Sequence, residues 1–536
     1  MGAREGAMTG IDMAALERAL DLLPGQYRGP AGVAGVVKDG QIVARRAWGY
    51  ADMATRLPMT AALRMPLCSI SKQMTCALLL DLFEQPEDLA PLLPDLLPRF
   101  RGVLPGIAQL CHNQSGLRDY WALTVLQGAA PEGRFTLEDG LALLATAEEG
   151  HFAPGACYSY SNGNFRLLAE LIARATGRDF GALLEDRILR RAGMPTARLA
   201  ADTRDRIDGV IGYEGNDEVG FLPARSAISW TGDAGVVASL DDMLAWERHI
   251  DATRDDPAGL YRRISAPVTF ADGAPAPYAY GLRRYRHAGH EVTGHGGGIR
   301  GFCSFRLHVA DARLSVVVIF NHEASAMRAA EGLMTAALRG PAPAAPVAAH
   351  GWGGLWLDDE NGLFLRCTDT AEGVRLHYAV SPVMLRPLDD RHAEAPGLAL
   401  RREGEEMVME RRAENLTVRA RPLVPLDRAD ADDIAGRYHA PGIGAALEIV
   451  ARDGAAYIGF DGMLGQGPME RMYPLARDLW SVTSRRAMDA APPGEWTLCI
   501  HRAETGEVTG LTLGCWLARA IRYHRDGRAM SLPHPP

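Results

Sequence analysis

The feature that most constrains this chain lies past its middle. Gly340-Pro341-Ala342-Pro343-Ala344-Ala345-Pro346 is a low-complexity stretch that no helix or central strand accommodates, because each proline lacks an N–H and fixes φ. The texture changes across it. Before it, helical runs and strand pairs are mixed. After it come only short alternating runs: Gly354-Leu355-Trp356-Leu357, Leu363-Phe364-Leu365-Arg366 and Val374-Arg375-Leu376-His377-Tyr378. A similar pattern restarts after Arg421-Pro422, with Gly436-Arg437-Tyr438-His439, Leu447-Glu448-Ile449-Val450 and Ala456-Tyr457-Ile458-Gly459-Phe460. Gly-x-Trp and Gly-x-Tyr openings spaced by about 80 residues predict two related antiparallel β units, small barrels. The chain therefore divides into residues 1–340, 341–425 and 426–536.

The first unit reads as α+β. Met13 to Leu23 is an amphipathic helix expected to stop at Pro24-Gly25. The runs 32–37 and 41–44 flank Lys38-Asp39-Gly40, and Asp-Gly between apolar runs predicts a hairpin. Residues from about 85 to 150 are mainly helical with loops. Phe165 to Ala175 and Leu240 to Ile250 are further helices, the latter opened by the capping box Ser239-Leu240-Asp241-Asp242. Phe302 to Val309 and Leu314 to Asn321 form a second hairpin, followed by a helix from Ala324 to Leu338. An antiparallel sheet with helices on its faces plus a helical lobe fits this order.

Four stretches of this unit carry residues with chemistry. Ser69-Ile70-Ser71-Lys72 opens the apolar run Ala77 to Phe83, which lacks Gly and Pro and so reads as helix. On a helix, residues i and i+3 share a face, so Ser69 and Lys72 point the same way. A hydroxyl, an amine to take its proton and the free N–H groups of a helix N-terminus are the parts of an acyl-transfer site. Cys68, next door, is the less favoured nucleophile. Tyr160-Ser161-Asn162 follows the turn Pro154-Gly155 and offers a phenol and an amide to a cleft, or packs on the surface as an ordinary loop. Thr293-Gly294-His295-Gly296-Gly297-Gly298-Ile299-Arg300-Gly301 has five glycines in nine residues. Such a stretch permits close backbone approach to a ligand, with His295 as donor or proton carrier, or is a plain turn. His112-Asn113-Gln114-Ser115-Gly116-Leu117-Arg118-Asp119-Tyr120 reads as a polar loop.

Composition limits the partners. The formal net charge is -9 with no Lys/Arg block, which argues against nucleic acid as the main partner. Apolar strings are far too short to span a bilayer, and the N-terminus has no apolar core ahead of a cleavage site, so the expected location is cytoplasmic. Eight scattered cysteines form no Cys-x-x-Cys pair and no zinc spacing; free thiols are expected.

Ser69-x-x-Lys72, Tyr160-x-Asn162 and His295-x-Gly297, in that order, resemble the serine penicillin-recognising enzymes, a group of DD-peptidases, class C β-lactamases and related esterases. Gly49-Tyr50-Ala51-Asp52 and Asn113-Gln114-Ser115-Gly116-Leu117 look like secondary signatures of the same family. The two trailing β-barrels, with Asn113 to Leu123 and Met488-Asp489-Ala490…Pro493-Gly494-Glu495-Trp496, resemble the D-aminopeptidase branch over nearly the whole chain. What the resemblance implies is release of an N-terminal D-residue, D-alanine for preference, from peptides, amides and esters. A homodimer without metal or organic cofactor is implied as well.

The resemblance also assigns roles. Ser69 attacks the acyl carbonyl and Lys72 is its base. Tyr160 relays the proton, Asn162 orients Lys72 and the substrate amide, and His295 assists leaving-group protonation or positions Tyr160. The oxyanion hole is formed by the backbone N–H groups of Ser69 and Gly298. Asp489, on a turn-rich excursion of the third unit, binds the substrate ammonium and blocks longer N-terminal extensions. Arg283 departs from the branch, which has an uncharged amide there, and is expected to favour substrates with a free carboxylate. Sensitivity to β-lactams is expected too. The competing expectations are a DD-carboxypeptidase, a β-lactamase or esterase, and a penicillin-binding sensor that acylates without turnover.

Overall fold

A computed structural model describes residues 10–340, 345–483, 486–489 and 493–526. Its first part is built on one antiparallel sheet. β1 (Ala31–Lys38), β2 (Gln41–Asp52) and β3 (Leu57–Pro58) come from the start of the chain. β4 (Tyr278–Ala279), β5 (Leu282–His287), β6 (His290–Ile299), β7 (Phe302–Val309) and β8 (Leu314–Phe320) come from residues about 230 later. The strand order is β4-β5-β6-β7-β8-β1-β2-β3. β1 closes the gap by pairing with both β2 and β8, Val33 opposite Ile319 on one side and Ala47 on the other.

Continuous burial of β1 and β8 follows from cover on both faces. On one face Ala34, Val36, Val316, Val318 and Phe320 pack with α1 (Met13–Gln26) and with α5 (Ala326–Leu338). On the other, Val33, Val37, Val317 and Ile319 join the larger core with α2 (Ser71–Leu82), α3 (Asn162–Thr176) and α4 (Leu240–Ala252). The expected capping box of α4 is present: Ser239 Oγ accepts from the Asp242 N–H at 3.0 Å, and Asp242 Oδ2 from the Ser239 N–H at 3.0 Å. Arg306 of β7 reaches Glu247 of α4 with no exposure of either side chain, Nε donating to Oε1 at 2.7 Å. A pair so buried holds sheet and helix in one register, since either charge alone would be uncompensated.

Three local expectations are corrected. α1 runs through Pro24-Gly25 to Gln26, because Pro24 lies in its last turn. Ser69 stands not in the α-helix but in a 3₁₀ turn, Cys68–Ile70, that leads into α2. α3 begins at Asn162, three residues earlier than expected, so Asn162 is helical and only Tyr160 and Ser161 belong to the preceding loop.

Beyond the linker, eight strands from Gly354–Asp358 to Leu416–Pro422 close into a barrel. A second set of strands, from Gly436–Ala440 to Ala518–Arg525, closes through the pairing of Ala445–Arg452 with Ala455–Gly462. Trp356 and Tyr438, from the two opening motifs, are buried in their respective cores. The interior of the second barrel is continuous with the core around α2 and α3. Hydrogen bonds seal that junction: the Asp119 N–H donates to Leu517 O at 2.9 Å, and the side-chain Nε2 of Gln127 donates to Ile443 O at 2.6 Å. Among the described residues, no helix is long and apolar enough to cross a membrane.

Candidate active site

The turn Cys68–Ile70 and the first turn of α2 bring Ser69 Oγ and Lys72 Nζ to 3.0 Å. α2 is buried from Ser71 through Leu80, so Lys72 has no exposure and must find its partners inside the protein. It finds two more: Nζ donates to Asn162 Oδ1 at 2.7 Å and to the Asp233 backbone carbonyl at 2.6 Å. Asn162 is held amide-oxygen toward the lysine because its Nδ2 donates to Asp119 Oδ1 at 3.0 Å. Burial draws the Lys72 amine down to about 8, against the opposing pull of Asp233, Asp119 and Asp489.

This arrangement sets the chemistry. An amide oxygen and a backbone carbonyl can only accept. A neutral Lys72 therefore spends its two N–H bonds on Asn162 and Asp233 and turns its lone pair toward Ser69 Oγ. Cys68, the less favoured nucleophile, is buried, and burial pushes its thiol far above the ordinary range.

Tyr160 lies across the same pair. Its hydroxyl is near enough to Ser69 to interact with it, and Lys72 Nζ stands 5.0 Å from its ring centroid. Burial pushes the phenol well above its usual range, so it takes part as a neutral hydroxyl. His295, on β6, has its ring centroid 6.0 Å from that of Tyr160. His295 Nδ1 lies 2.5 Å from the Gly296 carbonyl, which can only accept, so this nitrogen carries the hydrogen. Nε2 is then the acceptor for the Tyr278 hydroxyl at 3.0 Å. Burial, with the charges of Arg283 and Lys72, holds His295 well below its usual pKa and hence neutral.

Gly297 shows why the motif needs glycine: a Cβ there would lie 2.1 Å from Leu67 O, two residues before the nucleophile. At Gly298 a Cβ would meet nothing within 4 Å, so open space lies beside that backbone. Among the described residues no three His, Cys, Asp or Glu side chains are grouped to hold a metal ion.

Asp489 comes from the loop between Leu479–Val482 and Trp496–Arg502 of the second barrel. Its carbonyl accepts from the Arg300 N–H at 3.2 Å, one residue past the end of β6, and its charge is felt at Lys72 and Cys68. Arg486, three residues earlier, pairs with Glu214 and with Glu323, the latter at 3.1 Å. Arg300 in turn pairs with Glu214 at 3.1 Å and Glu132 at 2.8 Å. Arg283 stands opposite Tyr278 and Gly294 in the sheet. It lies at the edge of a crowded site, near enough for its charge to act on Tyr158, Tyr160 and His295.

Ser69, Lys72, Tyr160, Asn162, His295 and Gly298 thus converge, with Asp489 and Arg283 on their two flanks. Sequence reasoning missed Tyr278, Asp233 and Asp119. Gly232 and Gly235, at φ +83° and +100°, flank Asp233 and were a visible signal of a forced turn. Asp119 sat within the polar loop 112–120, and nothing marked Tyr278.

Fold and site together define a β-lactamase-like serine hydrolase, and the family model described as Beta-lactamase matches residues 16–340. A second model, described as D-aminopeptidase, domain B, matches residues 346–524. The chain belongs to the D-aminopeptidase family. It is 55% identical over 96% of its length to a D-aminopeptidase of Cereibacter sphaeroides, covering 99% of that protein. It is 47% identical over 97% of its length to a D-aminopeptidase of Brucella canis, covering all of it. In fold it is similar to the octameric penicillin-binding protein homologue from Pyrococcus abyssi, at a TM-score of 0.54 and 16% identity over 76% of this chain and all of that one.

Proposed function

We propose that this chain is a serine aminopeptidase that releases N-terminal D-amino acids, D-alanine for preference, from peptides, amides and esters. Membership of the D-aminopeptidase family supports the activity. The observation that carries the mechanism is the three-partner environment of Lys72, which leaves its lone pair for Ser69. Lys72 accepts the Ser69 proton as Oγ forms its bond to the acyl carbon. The N–H groups of Ser69 and Gly298 hold the oxyanion. The proton passes through the Tyr160 hydroxyl to the leaving amine, and the C–N bond breaks to give a D-aminoacyl ester on Ser69. Water, deprotonated by the same lysine, attacks that ester; the acyl C–O bond breaks as Lys72 returns the proton to Ser69 Oγ, and the D-amino acid is freed. His295, fixed by Tyr278, positions Tyr160, and Asn162 orients Lys72 and the substrate amide.

Asp489 receives the substrate ammonium in this scheme. A charge-assisted hydrogen bond there contributes about 1.5–3 kcal/mol. Its loop closes the site to longer N-terminal extensions, so residues 1–340 perform the chemistry, 426–536 set which end is cut, and 341–425 form the intervening barrel. The charge of Arg283 beside the site supports preference for leaving groups that end in a carboxylate. The scheme extends to a cytoplasmic homodimer and to acylation of Ser69 by β-lactams. These rest on the sequence resemblance and are checked by sedimentation and by the mass of the β-lactam-treated protein.

The deciding comparison is hydrolysis of D-Ala-amide, N-acetyl-D-Ala-amide and L-Ala-amide, by the native protein and by Asp489→Asn. D-Ala-amide should be cleaved best, and the substitution should erase its advantage over the acetylated form. Equal cleavage of both by the native protein removes the ammonium site. An acetylated substrate that acylates once and stops marks a penicillin-binding sensor.

A further inference from the structure

Residues 112–120 look like a polar loop in the sequence, yet all of them except Arg118 are buried. Buried polar groups need partners, and those of this loop find residues 161–164, the segment that opens α3 and carries Asn162. Asn113 Oδ1 accepts from the Ser161 N–H at 3.1 Å and from Asn164 Nδ2 at 3.0 Å. Ser115 Oγ donates to Asn164 Oδ1 at 2.8 Å. Asp119 Oδ1 accepts both the N–H and the Nδ2 of Asn162, at 2.7 and 3.0 Å.

The last two residues of the loop reach both acceptors of Lys72, Asn162 Oδ1 and the Asp233 carbonyl. Asp119 grips the first. Tyr120, its neighbour, grips the second: the phenol donates to Asp233 Oδ2 at 2.8 Å. The turn that carries Asp233 is tied to α2 as well, since Thr75 Oγ1 donates to Gly232 O at 2.7 Å and the Val236 N–H donates to Ser71 Oγ at 3.2 Å. Tyr120 therefore steadies a residue already fastened on both sides. The amide of Asn162 has Lys72 on one side and Asp119 on the other, so more depends on Asp119.

The chemistry of that contact is one-sided. Burial lifts the Asp119 carboxyl to about 6, which leaves it ionised at neutral pH and above. An ionised carboxylate only accepts, so it takes the NH2 end of Asn162 and turns the amide oxygen to Lys72. The reverse orientation would set an N–H donor against the lysine. It would repel the ammonium, and in the neutral amine it would occupy the lone pair that Ser69 needs. The two ends of an amide are nearly alike in shape, so hydrogen bonding rather than packing chooses between them.

The loop is held from outside the catalytic half. Trp516-Leu517 joins the strands Val508–Cys515 and Ala518–Arg525 of the second barrel, and Leu517 O accepts the Asp119 N–H. Arg118 Nε donates to Arg519 O at 3.0 Å. The buried guanidinium of Arg519 donates to Asn361 Oδ1 of the first barrel at 2.9 Å and lies 3.9 Å from the Trp516 ring centroid. Both barrels thus bear on the loop behind the base.

We propose that Asp119 and Tyr120 are positioning residues for the general base. Asp119 dictates which end of the Asn162 amide faces Lys72, and Tyr120 steadies the Asp233 carbonyl. Together they keep the lone pair of Lys72 on Ser69 Oγ. This rests on the reading of Lys72 as the base.

The test compares the native protein with Asp119→Asn and Tyr120→Phe. Two rates are followed from pH 6 to 10: hydrolysis of D-Ala p-nitroanilide, and labelling of Ser69 by a fluorophosphonate. In the labelling step Oγ bonds phosphorus, fluoride leaves and Lys72 takes the proton, so no amine recognition enters. Lys72 feels the negative charges of Asp233, Asp119 and Asp489, with Tyr160 and His295 neutral beside it. Removing the Asp119 charge should move the acid limb of both rates to lower pH, since that charge favours the ammonium. Above the limb, kcat and the labelling rate should nevertheless fall about tenfold or more, with KM little changed. Tyr120→Phe should lower both rates about threefold with the limb in its native place.

Rates of Asp119→Asn within twofold of native above the limb overturn the proposal. So does a loss with an unmoved limb and a lowered denaturant midpoint, which marks Asp119 as a support of the fold alone. If Asp119→Asn does not fold, Tyr120→Phe decides, and an unchanged labelling rate overturns the proposal. A native protein without an acid limb refutes Lys72 as the base. A native protein that is labelled but leaves D-Ala p-nitroanilide uncleaved refutes only the aminopeptidase reading, and its labelling rates still test Asp119 and Tyr120.

Discussion

Lys72 can take the Ser69 proton only when it is itself unprotonated, and that sets the pH behaviour of the site. A lysine drawn down by burial to about 8 is mostly charged at neutral pH. Charged, it cannot take the Ser69 proton. The logarithm of kcat/KM should therefore fall with unit slope as pH drops below about 8, and a profile flat from pH 6 to 9 would exclude Lys72 as the base. Asp489 opposes that depression, since a nearby negative charge favours the ammonium. Replacing Asp489 with Asn should move the acid limb to lower pH. A bound substrate ammonium should do likewise, placing the limb of kcat below that of kcat/KM. Tyr278 offers a second check at this scale. Tyr278→Phe leaves the buried Nε2 of His295 without its donor, a penalty of about 1–3 kcal/mol for a buried polar atom. A loss in kcat of about tenfold with KM little changed is expected, and an unaltered kcat would mean the imidazole is held without it.

Between residues and domains stands the loop that carries Asp489. It is fastened by charges: Arg486 to Glu214 and Glu323, Arg300 to Glu214 and Glu132, and the Arg300 N–H to Asp489 O. Glu214 is the shared member, on the hairpin Tyr213–Asn216 with Gly220–Pro223. Glu214→Gln keeps the shape and removes the charge. These groups are partly open to water, so screening reduces the loss to about 1 kcal/mol. The preference for D-Ala-amide over its acetylated form should drop about fivefold, and the native preference should itself weaken in high salt. Insensitivity to both would mean that packing of the buried Met488, rather than charge, positions the acid.

At the scale of the molecule, three buried histidines from separate places bear on acid stability. Burial pulls His112 and His322 down to about 4 and His308 to about 3. In the unfolded chain each titrates near 6.5. Below that value the unfolded state binds more protons than the folded one, so stability falls as pH drops from about 6.5 toward 4. Each histidine contributes about 1.4 kcal/mol per pH unit across that window. Denaturant midpoints measured between pH 7 and pH 4 should decline, and His308→Gln should flatten the decline. The second barrel shares its core with the helical lobe, so its loss is expected to accompany that of the active site in one transition.

Much of this was legible along the chain because it is local. The runs 32–37 and 41–44 about Asp39-Gly40, and Phe302 to Val309 with Leu314 to Asn321, marked the two hairpins of the sheet, since a short turn between apolar runs pairs them locally. The proline-rich linker gave the break before the barrels. Ser69 and Lys72 are three residues apart, so backbone geometry alone puts them together. The tyrosine and glycine-rich histidine motifs were readable through the family they resemble. What the tertiary structure decided is everything that depends on closure across long separations. Tyr278 became the partner of His295, Asp233 the third partner of Lys72, and Leu517 of the second barrel the partner of Asp119. No pattern in the sequence encodes such contacts, because they arise only when strands and barrels from distant parts of the chain pack and their polar groups must find partners away from water.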